Sequence, residues 1–233
     1  MFLIFNFSFN IDIYNFILIM KLQKLISELQ NVQPFANPKE DFEQYSTSAE
    51  TAGNMFHSIS QYHNLEDYTI ADLGCGTGIL GIAAALCGCE NVFLFDIDEE
   101  ALDIAKQNIQ DLNLENNIQL IQVDVNTLVD WNTLNKYFDM VITNPPFGIR
   151  SKKGADTEFL KIASKICHGT IFSLHKLSTI NYLKKFYTKK GVKEINCFEM
   201  KYDLPKSYKF HKKDKKDIEV VCLEAKIEDI IIE

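Results

Sequence analysis

The residues best equipped by type and spacing to do chemistry are Asn144, Pro145, Pro146 and Phe147, consecutive after the apolar run 138–143. Two prolines cannot continue a β-ladder and give up their N–H groups, leaving free carbonyls in a stiff turn. A planar exocyclic amine needs acceptors for its hydrogens, and the Asn144 side-chain oxygen and the Pro145 carbonyl supply two. Such bonds draw the nitrogen lone pair out of conjugation and toward an electrophilic carbon. Phe147 offers an aromatic face to the ring carrying the amine, a contact worth about 1–3 kcal/mol per stacked base. No general base stands nearby and none is required, because an alkylated amine nitrogen is acidic enough to lose its proton to water. Catalysis would rest on in-line alignment and on that polarisation. By itself, a Pro-Pro turn can equally do no more than end a strand.

A second group lies upstream. Asp72-Leu73-Gly74-Cys75-Gly76-Thr77-Gly78 ends one apolar run and, with Ile79, opens an Ala-rich segment. Glycines there let the backbone turn sharply and approach a ligand closely. The spacing differs from the dinucleotide fingerprint, whose third glycine comes one residue later. Asp96, beside Ile97, follows the next apolar run, where a carboxylate can accept from both hydroxyls of a ribose. Asp124, beside Val125, follows the third run and could meet an adenine amine. Three successive strand ends would thus converge where open α/β sheets bind ligands.

These residues need a scaffold, and the hydrophobic pattern supplies one. Apolar spacing predicts helices over 20–30 and 51–62. Strands and helices then alternate: strands 68–73, 91–95, 118–123 and 138–143, with helices 78–86 and 101–112 between them. That order implies βαβ units and a parallel sheet covered on both faces. Strand-like runs at 170–173, 192–202 and 218–224, and a helix at 178–187, complete the reading. The chain has 233 residues, 46% hydrophobic and 24% charged, with 10 Gly and 5 Pro. This is globular composition, which argues against a disordered or fibrous protein. Neither an internal repeat nor a low-complexity linker interrupts it, so one domain over 20–224 is expected, with 225–233 a tail. Six Cys without a paired C-x-x-C spacing point to free thiols in a reducing compartment and to no metal site.

The loop at 72–78 with an acid after the second strand resembles the first motif of class I S-adenosylmethionine-dependent methyltransferases. The resemblance implies a Rossmann-like, doubly wound, mostly parallel sheet of seven strands with an antiparallel last strand. It places the methionine part of S-adenosylmethionine near Gly74 and Thr77, the ribose near Asp96, and the adenine near Asp124 and Val125. Asn144 to Phe147 resembles the signature of amino-methyltransferases acting on adenine N6, guanine N2 or glutamine amides, and does not choose among them. Other segments narrow the choice: 43–47, 147–156, 173–176, and Tyr202 to Pro205 with Ser207 to Lys212. Together they resemble the eukaryotic small-subunit (18S) ribosomal RNA N6-adenosine methyltransferases, the family of methyltransferase-like protein five. The resemblance runs from about Met20 to about Leu223 and implies that Gln44 and Thr47 touch the cofactor. It also implies work in the nucleus or nucleolus and in the cytoplasm. A release-factor glutamine methyltransferase and a cofactor-binding scaffold without activity remain as alternatives.

Charge is unevenly divided along the chain. The net charge is −8, yet residues 150–216 hold 18 Lys+Arg against 6 Asp+Glu. Arg150, Lys152 and Lys153 follow Phe147, and Lys206, Tyr208, Lys209, Phe210, His211, Lys212 and Lys213 interleave cations with rings. That suits stacking plus phosphate contact around a base splayed out of an RNA. His175 is read as a core or loop histidine without a role. The run 118–123 would be an edge strand, and an uncovered apolar edge invites pairing. The resemblance implies that a small zinc-binding activator subunit pairs there, so the chain alone should be poorly soluble. Residues 1–19 lack a basic start and a cleavage site, and Asn6, Asn10, Asp12 and Asn15 interrupt their apolar run. They read as neither signal peptide nor membrane helix, with Met20 the expected start.

Overall fold

The computed structural model describes residues 21–147, 154–200 and 220–227. Residues 21–29 are helical (α1). Ser48 then caps α2 (Ala49–Tyr62), its hydroxyl accepting the Thr51 backbone N–H at 3.1 Å. That satisfies one of the donors every helix start leaves without a partner. The alternating part follows: β1 (Thr69–Leu73), α3 (Ile79–Leu86), β2 (Asn91–Asp96), α4 (Glu99–Asp111), β3 (Ile118–Gln122) and β4 (Phe138–Thr143). Asp98 caps α4 by accepting from Glu100 N, and Glu99 and Glu100 sit at the helix's positive end. The chain continues through α5 (Ala155–Ile166), β5 (Cys167–Lys176), α6 (Ile180–Lys189), β6 (Ile195–Met200) and β7 (Val220–Lys226).

The seven strands form one sheet in the order β3-β2-β1-β4-β5-β7-β6. Every pair from β3 to β5 is parallel, and β7 runs antiparallel to both neighbours. This is the doubly wound sheet with an antiparallel last strand that the sequence led us to expect. β3 stands at one edge. The direction of winding reverses between β1 and β4, which opens a crevice beyond their carboxyl ends. On one face, Leu29, Phe56, Ile82 and Ile109 pack with Ile70, Leu94 and Met140. On the other, Leu160, Ile166, Leu183 and Tyr187 pack with Leu73, Val141 and Ile171. β4 is buried along nearly its whole length, so its polar end, Thr143, must bond: its hydroxyl donates to Leu73 O at 2.7 Å, tying the ends of β4 and β1.

Several expectations need correction. No element was expected at Ala155–Ile166, yet α5 is a helix of 12 residues. Its apolar spacing is helical, but it starts after Gly154, which offers no side-chain cap to announce it. β5 reaches from Cys167 to Lys176 instead of 170–173, and α6 starts at Ile180 after a short 3₁₀ turn, Leu177–Thr179. β7 continues past Glu224 to Lys226, followed by buried Ile227. All six cysteines are free; Cys89 is buried, Cys87 only partly. No helix among the described residues is long and apolar enough to cross a membrane.

Candidate functional site

The crevice at the strand ends holds a cavity of about 340 Å³. The glycine loop forms its floor. Gly74 and Gly76 adopt φ of +68° and +55°, a region side chains avoid. A Cβ on Gly76 would stand 2.6 Å from Phe35 Cζ, so only glycine lets this ring, from the stretch after α1, close over the loop. Gly74 N and Cys75 N both donate to Phe95 O, at 2.8 and 3.0 Å, which stitches the loop to the end of β2.

Two carboxylates face this floor. Asp96 accepts the Gly76 N–H on Oδ2 at 2.7 Å and the Asp98 N–H on Oδ1 at 2.9 Å. Each oxygen keeps a second acceptor position, so the group is fixed in direction without being used up. Burial raises its pKa against the pull of those N–H groups. Asp72 is buried more deeply: Oδ2 accepts from Gly81 N at 3.0 Å, and Oδ1 has no partner. Burial pushes Asp72 up to about 7, with the nearby Asp96 carboxylate adding to it. A buried carboxylate oxygen without a donor, lining a cavity, is a seat for a cation.

The wall comes from residues 39–47. Gln44 braces the segment: Oε1 accepts from Lys39 N at 2.7 Å and Nε2 donates to Asp98 Oδ2 at 2.6 Å. Lys39 Nζ reaches Asp98 Oδ1 at 2.7 Å. Burial alone would raise Asp98, but the bonds from Lys39 and Gln44 outweigh it and hold the carboxyl below its usual value. This tie clamps the segment to the start of α4 and delivers Thr47 to the mouth. There, Asn144 Nδ2 donates to Thr47 Oγ1 at 3.0 Å.

The residues expected to hold a cofactor are brought together. Gln44, Thr47, Asp72, Gly74, Gly76, Thr77 and Ile79 line the cavity, as do Asp96, Ile97, Asp124, Val125 and Asn144. Pro146 joins them at the mouth. Gly78 does not: with φ of +89° it starts α3 and packs against Leu94 and Ala105. Asp124 accepts from Asn126 N and Nδ2 on one oxygen, at 2.9 and 2.8 Å, and caps a 3₁₀ turn. Pro145 is buried beneath the mouth, and Phe147 lies outside the lining with Lys176 Nζ 5.1 Å from its ring centre. Arg150, Lys152, Lys153, Lys206, Tyr208, Lys209, Phe210, His211, Lys212 and Lys213 fall outside the described residues. His175 is buried, and burial pushes it down to about 3, so it is neutral and belongs to the core.

Sequence reasoning missed Phe35, Phe42, Glu43 and Phe159, all in the lining. Phe159 rides on the unexpected helix α5, and Phe35 and Phe42 fall between the expected helices 20–30 and 51–62, where no element was expected. Among the described residues, no group of three or more His, Cys, Asp or Glu is placed to hold a metal.

Comparison with known proteins agrees with this geometry. Residues 54–170 match the model of the methyltransferase small domain. The chain is 43% identical over 202 residues to the rRNA N(6)-adenosine-methyltransferase METTL5 of Danio rerio, covering 86% of this chain and 96% of that one. The Drosophila melanogaster relative of the same name is 38% identical, covering 86% and 94%. Among solved structures, a candidate RNA methyltransferase from Pyrococcus horikoshii superposes with a TM-score of 0.72 at 27% identity, over 89% of this chain and 98% of that one. The chain belongs to the methyltransferase small-domain family and, within it, to the METTL5 family of rRNA N(6)-adenosine methyltransferases.

Proposed function

We propose that this chain uses S-adenosylmethionine to methylate N6 of an adenosine in small-subunit ribosomal RNA. The observation that carries the reading is the Asn144–Thr47 bond in the cavity lining: with the amide nitrogen donating to Thr47 Oγ1, the amide oxygen is the atom we assign as acceptor for an incoming amine. The residues of the cavity fit the cofactor. Asp96 presents two aligned oxygens suited to a ribose diol, and Asp72 Oδ1 suits an ammonium. Ile97 and Val125 offer apolar contact to an adenine, with Asp124 to accept from its amine. When bound, S-adenosylmethionine supplies an electrophilic methyl group on a sulfonium. Asn144 Oδ1 and the Pro145 carbonyl accept the two N6 hydrogens, which leaves the lone pair directed at that methyl group, while Phe147 stacks on the base. The methylated nitrogen then returns its extra proton to water.

The basic residues from Arg150 to Lys153 and from Lys206 to Lys213 would hold the phosphates around the flipped nucleotide. A small zinc-binding activator would pair along β3. The edge position of that strand, with Leu120 and Ile121 only partly buried, supports this assignment. One domain would carry these parts, and an rRNA substrate supports work where small subunits are made and used, in nucleolus, nucleus and cytoplasm.

The test is transfer of labelled methyl groups, with activator present, to small-subunit rRNA or to a release factor. Label recovered as N6-methyladenosine is the expected result. Label on a release-factor glutamine would replace the substrate, and cofactor binding without transfer to either would leave a scaffold.

A further inference from the structure

A second cavity, of about 320 Å³, shares no lining residue with the first. It lies toward the β6 end of the sheet, between the carboxyl end of α2 and the face of β5, β7 and β6. Its size falls within the range of small-molecule sites. Its composition is unusual for a sheet face. Glu224 sits on β7 with Phe172 of β5 opposite on one side and Asn196 of β6 on the other. It is only 8% exposed. A buried carboxylate on a strand paired on both sides costs stability unless it has partners. One oxygen, Oε2, accepts from Asn196 Nδ2 at 2.8 Å.

Rings surround this carboxylate. Phe172 stands edge-on to His63, with ring centres 5.8 Å apart, while Tyr62 and Phe198, both exposed, form the rim. Burial keeps His63 below its ordinary pKa, although the Glu224 carboxylate pulls it the other way. The other charges cancel: Lys226 Nζ is 2.6 Å from Glu194 Oε1. Glu224 therefore stands in this cavity as a second carboxylate beside a single lysine, among rings of the kind that attract cations.

We propose that this cavity binds a small organic cation, a primary or alkylated ammonium carrying an apolar body. The ammonium would meet the second oxygen of Glu224, and its body would lie among Tyr62, Phe172 and Phe198. The site is independent of the methyl-transfer centre.

Titration of the full chain with phenethylammonium, followed by calorimetry and ligand-observed NMR, tests this, with 2-phenylethanol as the uncharged control. The expected result is saturable binding of the ammonium and at least roughly tenfold weaker binding of the alcohol. Glu224→Gln keeps the shape and should weaken the ammonium to the level of the alcohol. Phe198→Ala, at an exposed position that does not endanger folding, should also weaken it. Asn144→Ala should leave it unchanged. Equal binding of ammonium and alcohol would overturn the proposal, as would full affinity in Glu224→Gln or no saturable binding at millimolar probe. Should Glu224→Gln fail to fold, an unchanged affinity in Phe198→Ala overturns it as well.

Discussion

The side-chain nitrogen of Asn144 lies 3.0 Å from the hydroxyl oxygen of Thr47, across 97 residues of sequence. One bond thereby connects the diproline turn after β4 with the segment that Lys39, Gln44 and Asp98 fasten to α4. The orientation of the Asn144 amide is fixed before any substrate arrives, which is the preorganisation that makes polar groups effective in catalysis.

Removing that brace should therefore cost rate even at saturating cofactor. Thr47→Val keeps the volume and deletes the acceptor. A neutral hydrogen bond is worth about 0.5–1.5 kcal/mol, which translates to a fall in kcat of roughly 2- to 12-fold. Single-turnover methyl transfer and cofactor titration check this; an unchanged rate would remove Thr47 from the account.

Asp72 gives the site a pH signature. Its folded pKa of about 7 lies above the unfolded value of about 3.9. The folded chain thus holds a proton that the unfolded chain has lost, and this group lowers stability as pH rises from about 4 to about 7. A cationic partner at Oδ1 reverses the preference and releases the proton on binding. Cofactor affinity should rise with pH across the upper part of that window, and Asp72→Asn should flatten the dependence. Calorimetry in buffers of different ionisation enthalpy reads the proton directly. No release near pH 6.5 would show that no cation sits on Asp72.

Phe147 carries an ammonium, that of Lys176, 5.1 Å from its ring centre. Burial holds Lys176 below its ordinary pKa, although nearby Glu43 pulls the other way. With one region of the ring engaged, the base must stack on what remains. Phe147→Ala should lose about 1–3 kcal/mol of kcat/KM, about 5- to 150-fold, without weakening the cofactor. A loss confined to cofactor binding would contradict the stacking role.

The β3 edge predicts behaviour in solution. Among the described residues β3 pairs on one side only, and such an edge beside partly buried Leu120 and Ile121 invites association. The isolated chain should self-associate and melt lower than its complex with a zinc-binding activator. Size-exclusion chromatography and thermal melting decide this, and a monodisperse, stable isolated chain would count against pairing at β3.

Much of the architecture was readable because the early strands are short apolar runs punctuated by glycine, proline and acids. Asp72 stands near the end of such a run and Asp96 and Asp124 just after two others, so their convergence could be inferred before any contact was known. What escaped depends on tertiary approach. Phe35 reaches Gly76 only because the chain after α1 folds back over the loop. Gln44, expected only as a ligand contact, lines the cavity and also bonds at both ends of its amide within the protein. Gly78 matches the loop pattern but serves the packing of α3. α5 carries a fair apolar stripe, Leu160, Ala163 and Ile166, without a capping side chain to mark its start.

The most direct test of the central claim is Asn144→Ala assayed on small-subunit rRNA by nucleoside mass spectrometry, alongside cofactor titration. Cofactor affinity should persist while N6-methyladenosine disappears. Continued formation of N6-methyladenosine at the unmodified rate would contradict the account.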